Sequence, residues 1–291
     1  MSNQFNSMNK VVVCVPYGRK KFLECLLPHL WAQRHHIDEI RFWVNTDNAE
    51  SLTYLGQLLA TDSIFTAEHV NDGERPSVWR MRHFYKNCTE PDTIYIKVDD
   101  DVVWMDGTAI ESLIVSRKWN DEPFLVYANT INNNICAVLH QQCGALPTNV
   151  IKAEYVQSDY YVFTDQAFVR QQHEVFRKHY DDGTLDHYFF GYWVDHACTR
   201  MCINMVSWWG KDMAQALPFS QDQDELELAV EVPRRLGRPV ACTGDALCVH
   251  YSYSTQWQHL DDNVHLGFYR QLSDKVAAEC AWPLYSGDSP K

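Results

Sequence analysis

The apolar positions of the first hundred residues fall into short runs that alternate with longer amphipathic stretches. Residues 10–16 (KVVVCVP) form a β-branched run closed by Pro16, Tyr17 and Gly18, which predicts a buried strand followed by a loop. Residues 22–33 predict a helix. Residues 39–45 (EIRFWVN) predict a second strand, ending in Asn45-Thr46-Asp47-Asn48, and 49–60 a second helix. A third strand is expected over 63–70. A third helix is expected over 76–87, with proline in its first turn. Residues 93–98 (TIYIKV) predict a fourth strand that runs directly into Asp99, Asp100 and Asp101.

This alternation is that of βαβ units, and it implies a largely parallel sheet flanked by helices. Ligands of open α/β sheets bind beyond the carboxyl ends of the strands. Residues 17–19, 45–47 and 99–101 all lie at such ends and are expected to gather on one edge. Beyond Met105 the pattern loosens. It reads as a helix over 107–117, a strand over 124–128, the polar run Asn129–Asn134 and a loop to Pro147. A long aromatic stretch over 187–209 reads as a helix feeding a strand, and strand-like alternation recurs over 226–232 and 246–253. No repeat or linker interrupts the chain. One unit spanning residues 1–291 is expected, with a nucleotide half over about 10–105 and an acceptor half over about 106–291.

Three adjacent carboxylates after a buried strand repel one another and are costly to bury. A hard divalent cation, Mn2+ or Mg2+, relieves both costs and keeps positions open for phosphate. In an extended segment Asp99 and Asp101 would share one side, with Asp100 turned toward an amide or a basic group. A solvated acidic turn is the plain alternative.

The segment YIKVDDDVVWMD, which follows VVVCVPYGR within the first 106 residues, resembles the DxD signature of GT-A glycosyltransferases. The resemblance covers roughly the first half of the chain. It implies a GT-A, Rossmann-like α/β fold with a mostly parallel central sheet and a smaller mixed region on the acceptor side. It also implies a metal-dependent transferase, hexosyl or pentosyl, of the kind that builds polysaccharides. Such an enzyme takes a nucleoside diphosphate sugar, UDP preferred and GDP open, and glycosylates a hydroxyl of a glycan or glycoconjugate. On the same resemblance Asp99 and Asp101 hold the metal, with His250 as a further ligand, and Asp100 belongs to the donor site. Pro16, Tyr17 and Arg19 lie against the nucleotide, where Tyr17 would stack on the base and Arg19 meet a phosphate. Asn45 and Asp47 would bond base or ribose, and Arg80 would approach the phosphates. For each of these an ordinary turn or surface residue is the rival, and for His250 a satisfied core histidine.

An inverting reaction needs a carboxylate base. Asp195, in GYWVDHACTR, resembles the acidic segment followed by arginine of inverting enzymes, with Val194 where a second acid is usual. Asp212, in SWWGKDM, resembles a tryptophan-glycine-acid segment, interrupted by Lys211. Capping or surface roles compete for both, and a retaining mechanism needs neither. Trp208 and Trp209 would stack on a sugar, or fill core. The run Asn129–Asn134 would offer amides to hydroxyls, or form a loop. Arg234, Arg235 and Arg238 would grip a diphosphate, or form a solvated turn.

A net charge of −13 without a basic tract argues against nucleic acid as partner. Ten cysteines without a CxxC pair read as buried free thiols of a reducing compartment, although Cys198 and Cys202 would share a helical face. The polar first ten residues read as a frayed tail. No stretch reaches the length of a transmembrane span, so a cytoplasmic protein, at most peripheral to a membrane, is expected. Two other functions fit parts of the pattern. One is a sugar nucleotidyltransferase, which would usually show a glycine-rich phosphate loop where VPYGRKKF has one glycine. The other is a non-catalytic carbohydrate- or nucleotide-binding protein.

Overall fold

The computed structural model describes residues 9–70, 73, 75–155 and 163–284. The tail expected at the amino terminus lies, up to Met8, outside the described residues. The described residues form nine strands: β1 Lys10–Tyr17, β2 Glu39–Val44, β3 Phe65–Glu68, β4 Thr93–Val98, β5 Val102–Met105, β6 Val126–Ile131, β7 Trp193–Asp195, β8 Met205–Trp209 and β9 Val240–His250. They form one sheet in the order β3-β2-β1-β4-β8-β6-β9-β5, with β7 paired to β9. Strands β3, β2, β1 and β4 are all parallel. Beyond β4 the sheet is mixed: β8 is antiparallel to β4 and β6, β9 runs parallel to β6, and β5 and β7 run antiparallel to β9. The architecture is thus the expected α/β one, a parallel half joined to a mixed half.

The KVVVCV run is buried on both faces because alternate side chains feed two cores. Val11, Val13 and Val15 pack with Leu23, Leu26 and Leu30 of helix α1 (Lys20–Ala32) and with Ile110 and Leu113 of α3 (Ala109–Trp119). Val12 and Cys14 face Met81, Phe84 and Trp208 on the other side. Helix α2 (Ala49–Leu59) starts at an Asn48 side chain that accepts from Ser51 N. Strand β1 runs one residue past Pro16, and the proline is tolerated because β4 pairs only with Lys10–Cys14.

Several expectations are corrected. Residues 76–87 form two short 3-10 helices, Val78–His83 and Tyr85–Asn87, rather than one α-helix. The asparagine run is the end of β6 followed by α4 (Asn134–Gln142), not a loop, and the Asn133 side chain caps α4 through Ile135 N and Cys136 N. Residues 187–209 contain no long helix but a 3-10 turn (Leu185–Tyr188), β7 and β8. Cys198 and Cys202 therefore share no helical face. Residues 226–232, read as a strand, are helical: Asp224–Leu226 runs into a π-turn, Glu227–Glu231, and then Val232–Leu236. Helices Gln166–Asp182 and Gly267–Glu279 went unread in the sequence. All ten cysteines are free thiols, and eight are buried.

Strand β9 bends where its register with β6 shifts between Ala128 and Asn129. Its first half pairs with β7 and its second half with β5. A side chain at Gly244, in the bend, would collide with the backbone of Phe190, so only glycine permits this approach.

Candidate functional site

The strand directions bring the ends of β1, β2, β4, β6 and β9 to one edge. The register pairs Val98 with Met205, Ile131 with Val249 and Val102 with His250. On that edge Asp99–Asp101 form a tight turn, not an extended segment, because Val102 N donates to Asp99 O at 3.0 Å. Asp99 N donates to Asn204 O at 2.8 Å, and Tyr251 N donates to Asp101 O at 2.8 Å. The turn is anchored to the strands on both sides.

Each aspartate has a different environment. Asp100 turns back over the β1–α1 loop, where its Oδ2 accepts from Gly18 N at 2.9 Å and Arg19 N at 2.7 Å. Its Oδ1 accepts from Arg19 Nε at 3.1 Å and from the same guanidinium's Nη2. That carboxylate is spent on holding the loop. Asp101 Oδ2 lies 2.8 Å from Arg19 Nη2 and 3.4 Å from His250 Nε2. Burial alone would raise Asp101, but Arg19 and His250 override it and hold the carboxyl well below the usual range. Asp99 pairs with Lys97, which also donates to Ile203 O at 2.9 Å. Burial, reinforced by Asp101 and opposed by Lys97, pushes Asp99 up to about 6.

Four carboxylates (Asp99, Asp100, Asp101 and Asp224) share this region with two permanent cations, Arg19 and Lys97. The surplus of two negative charges suits a divalent cation. Asp101 Oδ2 and His250 Nε2 stand close to the separation of about 3 Å between adjacent ligands of an octahedral ion with bonds near 2.1 Å. Without an ion, Nε2–H of His250 faces Asp101; with one, the tautomer that donates Nδ1–H to Asn132 O, 3.4 Å away, would leave Nε2 free as a ligand. Asp99 does not join them, and among the described residues no three His, Cys, Asp or Glu side chains converge on one point. The expected set of Asp99, Asp101 and His250 does not converge: Asp101 faces His250, whereas Lys97 engages Asp99. Lys97, a lone charge in a buried strand two residues before the acidic run, was the signal that sequence reasoning passed over.

Most of the other expected residues are engaged within the fold. Tyr17 is fully buried, packs edge-on against Phe42 and donates to Ser51 O at 2.9 Å, so it is not a base platform. Pro16 lies within β1. Arg19 neutralises Asp100 and Asp101 rather than standing free for phosphate. The Asn45 amide is exchanged with the backbone of Ser77, at 3.0 and 3.1 Å, while Asp47 is exposed. Arg80 donates to Val70 O.

Neither expected base lies at this edge. Asp195 pairs with Val240, at the far end of β9 from His250, roughly 20 Å away at about 3.3 Å per residue along the β6 stretch that spans the same length. Its carboxylate accepts from Ala197 N at 2.8 Å and Thr199 N at 2.6 Å and so folds the loop after β7. Asp212 follows β8 on the same far edge and is buried against Arg117 and Arg238. Trp208 and Trp209 are core; Trp208 stacks on Tyr95 and donates to Cys88 O. Asn129, Asn132, Asn133 and Asn134 are buried and bonded internally. Arg234, Arg235 and Arg238 donate to backbone carbonyls of neighbouring loops.

Two clefts flank the Asp101–His250 pair. One, of about 270 Å³, runs between Arg19, Phe22, Trp257 and Asp262. The other, of about 320 Å³, is lined by Phe163, Arg200, Glu225, Tyr253, Ser254 and Thr255. The ring of Tyr253 lies 4.4 Å from that of His250 and joins the second cleft to the pair. Neither Glu225 nor Tyr253 was singled out from sequence.

No family model and no curated protein matches this chain. Among solved structures, CMP:2-keto-3-deoxy-manno-octonic acid synthetase complexed with CTP is similar at a TM-score of 0.46 and 11% identity, over 91% of this chain and 99% of that one. Glucosyl-3-phosphoglycerate synthase from Mycobacterium tuberculosis, in complex with Mn2+, UDP-glucose and phosphoglyceric acid, is similar at a TM-score of 0.47 and 12% identity, over 94% and 80%. 4-Diphosphocytidyl-2C-methyl-D-erythritol synthase from Anaerococcus prevotii matches at a TM-score of 0.32 and 10% identity, over 41% and 54%. Likeness of this degree assigns no ligand or residue role here. Among the described residues no helix is long and apolar enough to cross a membrane.

Proposed function

We propose that this chain is a cation-assisted glycosyltransferase, moving a sugar from a nucleoside diphosphate donor, UDP preferred, to a hydroxyl of a glycan or glycoconjugate. The observation that carries the reading is the Asp101–His250 pair on the carboxyl edge of the parallel strands, within a site that holds two surplus negative charges. Asp101 and His250 would hold Mn2+ or Mg2+, leaving the other positions to water and diphosphate oxygens. When bound, the ion supplies Lewis-acid stabilisation of the departing diphosphate.

The chain's own residues set the stage. Asp100 fixes the β1–α1 loop, and Arg19 holds the Asp101 carboxylate in place. Asn132 O orients the imidazole of His250 from behind. Lys97, anchored on Ile203 O, offsets the charge of Asp99. The parallel half would serve the nucleotide and the mixed half the acceptor, as parts of one unit.

Product analysis with UDP-sugars and Mn2+ tests the reading. Release of UDP supports a glycosyltransferase. Pyrophosphate made from UTP and a sugar phosphate would instead establish a nucleotidyltransferase. Nucleotide bound without any turnover would mark a binding protein.

A further inference from the structure

With Asp195 and Asp212 on the far edge, the proposed reaction in its inverting form lacks a base at its site, and two clefts compete to supply one. In the cleft beside Arg19 the carboxylate is Asp262. It bonds Lys21 at 2.6 Å and accepts from the Tyr251 hydroxyl at 2.9 Å. Against its partial burial, these partners hold it below the ordinary carboxylate range. A carboxylate so stabilised as an anion is a weak proton acceptor.

The second cleft differs. Glu225 lines it on the short helix Asp224–Leu226, and its Oε1 accepts from Arg200 Nε at 2.8 Å. Arg200 is braced in turn, because its carbonyl accepts from Asn134 Nδ2 at 3.0 Å. Phe163 and Tyr253 meet edge to face, with centroids 4.7 Å apart, and form an aromatic wall. Ser254 and Thr255 add hydroxyls to the lining. Tyr253 also donates to Asn204 Oδ1 at 3.3 Å, and Asn204 O receives the Asp99 amide, so this wall is tied to the acidic turn. An aromatic wall with a few convergent polar groups, in about 320 Å³, is the make-up of a site for a small polyhydroxy compound.

We propose that this cleft receives the acceptor hydroxyl and that Glu225 is the general base that deprotonates it, with Arg200 positioning the carboxylate. The assignment rests on the transferase reading above. In the step, the acceptor O–H proton passes to Glu225 as that oxygen bonds the anomeric carbon. The bond from the anomeric carbon to the diphosphate oxygen breaks, and its electron pair leaves with the nucleoside diphosphate. Burial, which outweighs the pull of Arg200, raises Glu225 above the ordinary carboxylate range and favours proton uptake.

The test compares wild type, Glu225→Gln and Glu225→Asp. One readout is the thermal shift caused by UDP with Mn2+. The other is the rate of UDP release from a panel of UDP-sugars with water as acceptor. The amide of Glu225→Gln retains an oxygen for Arg200. Its UDP–Mn2+ shift should match wild type while UDP release falls about 100-fold or more, and Glu225→Asp should recover part of that loss. Turnover of Glu225→Gln within about threefold of wild type would overturn the base assignment and leave the transferase reading intact. Loss of the UDP–Mn2+ shift in Glu225→Gln would overturn it as well, moving Glu225 to the donor site. A wild type with no metal-dependent shift would remove the transferase reading itself, and this assignment with it.

Discussion

Replacing Asp212 with asparagine separates a structural carboxylate from a catalytic one. Asp212 is 2% exposed and bridges two guanidinium groups. Its Oδ2 lies 3.4 Å from Arg117 Nη2, and its Oδ1 lies 2.6 Å from Arg238 Nη1. Arg117 is wholly buried, and burial, reinforced by Arg238, lowers it to about 10 even with Asp212 beside it. Asparagine preserves shape but removes the charge, and it strands two cations against each other. Breaking one side of a buried pair costs about 3–5 kcal/mol. At about 2.1 cal/mol/K per residue, a chain of 291 residues then melts about 5–8 °C lower. Urea unfolding at pH 7.5 should show the loss at an unchanged m-value, and the folded fraction should bind UDP with Mn2+ as wild type does. A loss below about 1 kcal/mol, or abolished turnover at unchanged stability, would refute this account of Asp212 and restore the catalytic reading.

Three further outcomes are expected. His250→Ala should lose Mn2+-dependent UDP binding, whereas Asp99→Asn should weaken it less than about tenfold, because Asp99 is engaged by Lys97; isothermal titration of both variants decides this, and equal losses would restore Asp99 as a third ligand. His29, His140 and His173 are buried and neutral, held by burial at about 4, about 3 and about 3, so the unfolded chain binds more protons below its ordinary value near 6.5. Stability should therefore fall as pH drops from 6.5 to 5 by about 2 kcal/mol for each histidine, while Asp99, at about 6, returns about 1 kcal/mol over the same range; a urea midpoint that stays flat across that window would contradict it. Gly244→Ala forces a methyl group into the Phe190 backbone and should cost about 1–3 kcal/mol or more in the same assay, where a neutral result would show that the bend can relax.

The parallel half of the fold was legible because its strands are buried on both faces and read as uninterrupted apolar runs. TIYIKV running into three aspartates located the site's edge for the same reason. The remainder was hidden by tertiary pairing of polar residues. Asp195, Asp212 and the asparagine run look like chemistry in one dimension, yet Asp195 is consumed by amides of its own loop, and Asp212 and the asparagines by groups of distant segments. LELAVEV has the period of a strand but folds as a helix. Glu227, within it, turns its buried carboxylate to Ser220 N at 2.7 Å, a contact that no local pattern announces. Glu225 escaped notice because its pairing with Arg200 joins a short helical turn to the irregular stretch after β7.

The central claim is that Asp101 and His250 bind a cation that recruits a nucleoside diphosphate. Thermal unfolding of wild type and Asp101→Asn with UDP, GDP, CDP and ADP, each with and without Mn2+, tests it most directly. A ligand at a hundred times its Kd adds about 2.7 kcal/mol, or about 4 °C for a chain of this length. The account predicts such a shift for one diphosphate, UDP preferred, that requires Mn2+ and is absent in Asp101→Asn. A folded wild-type protein that shows no metal-dependent shift with any of the four would contradict it.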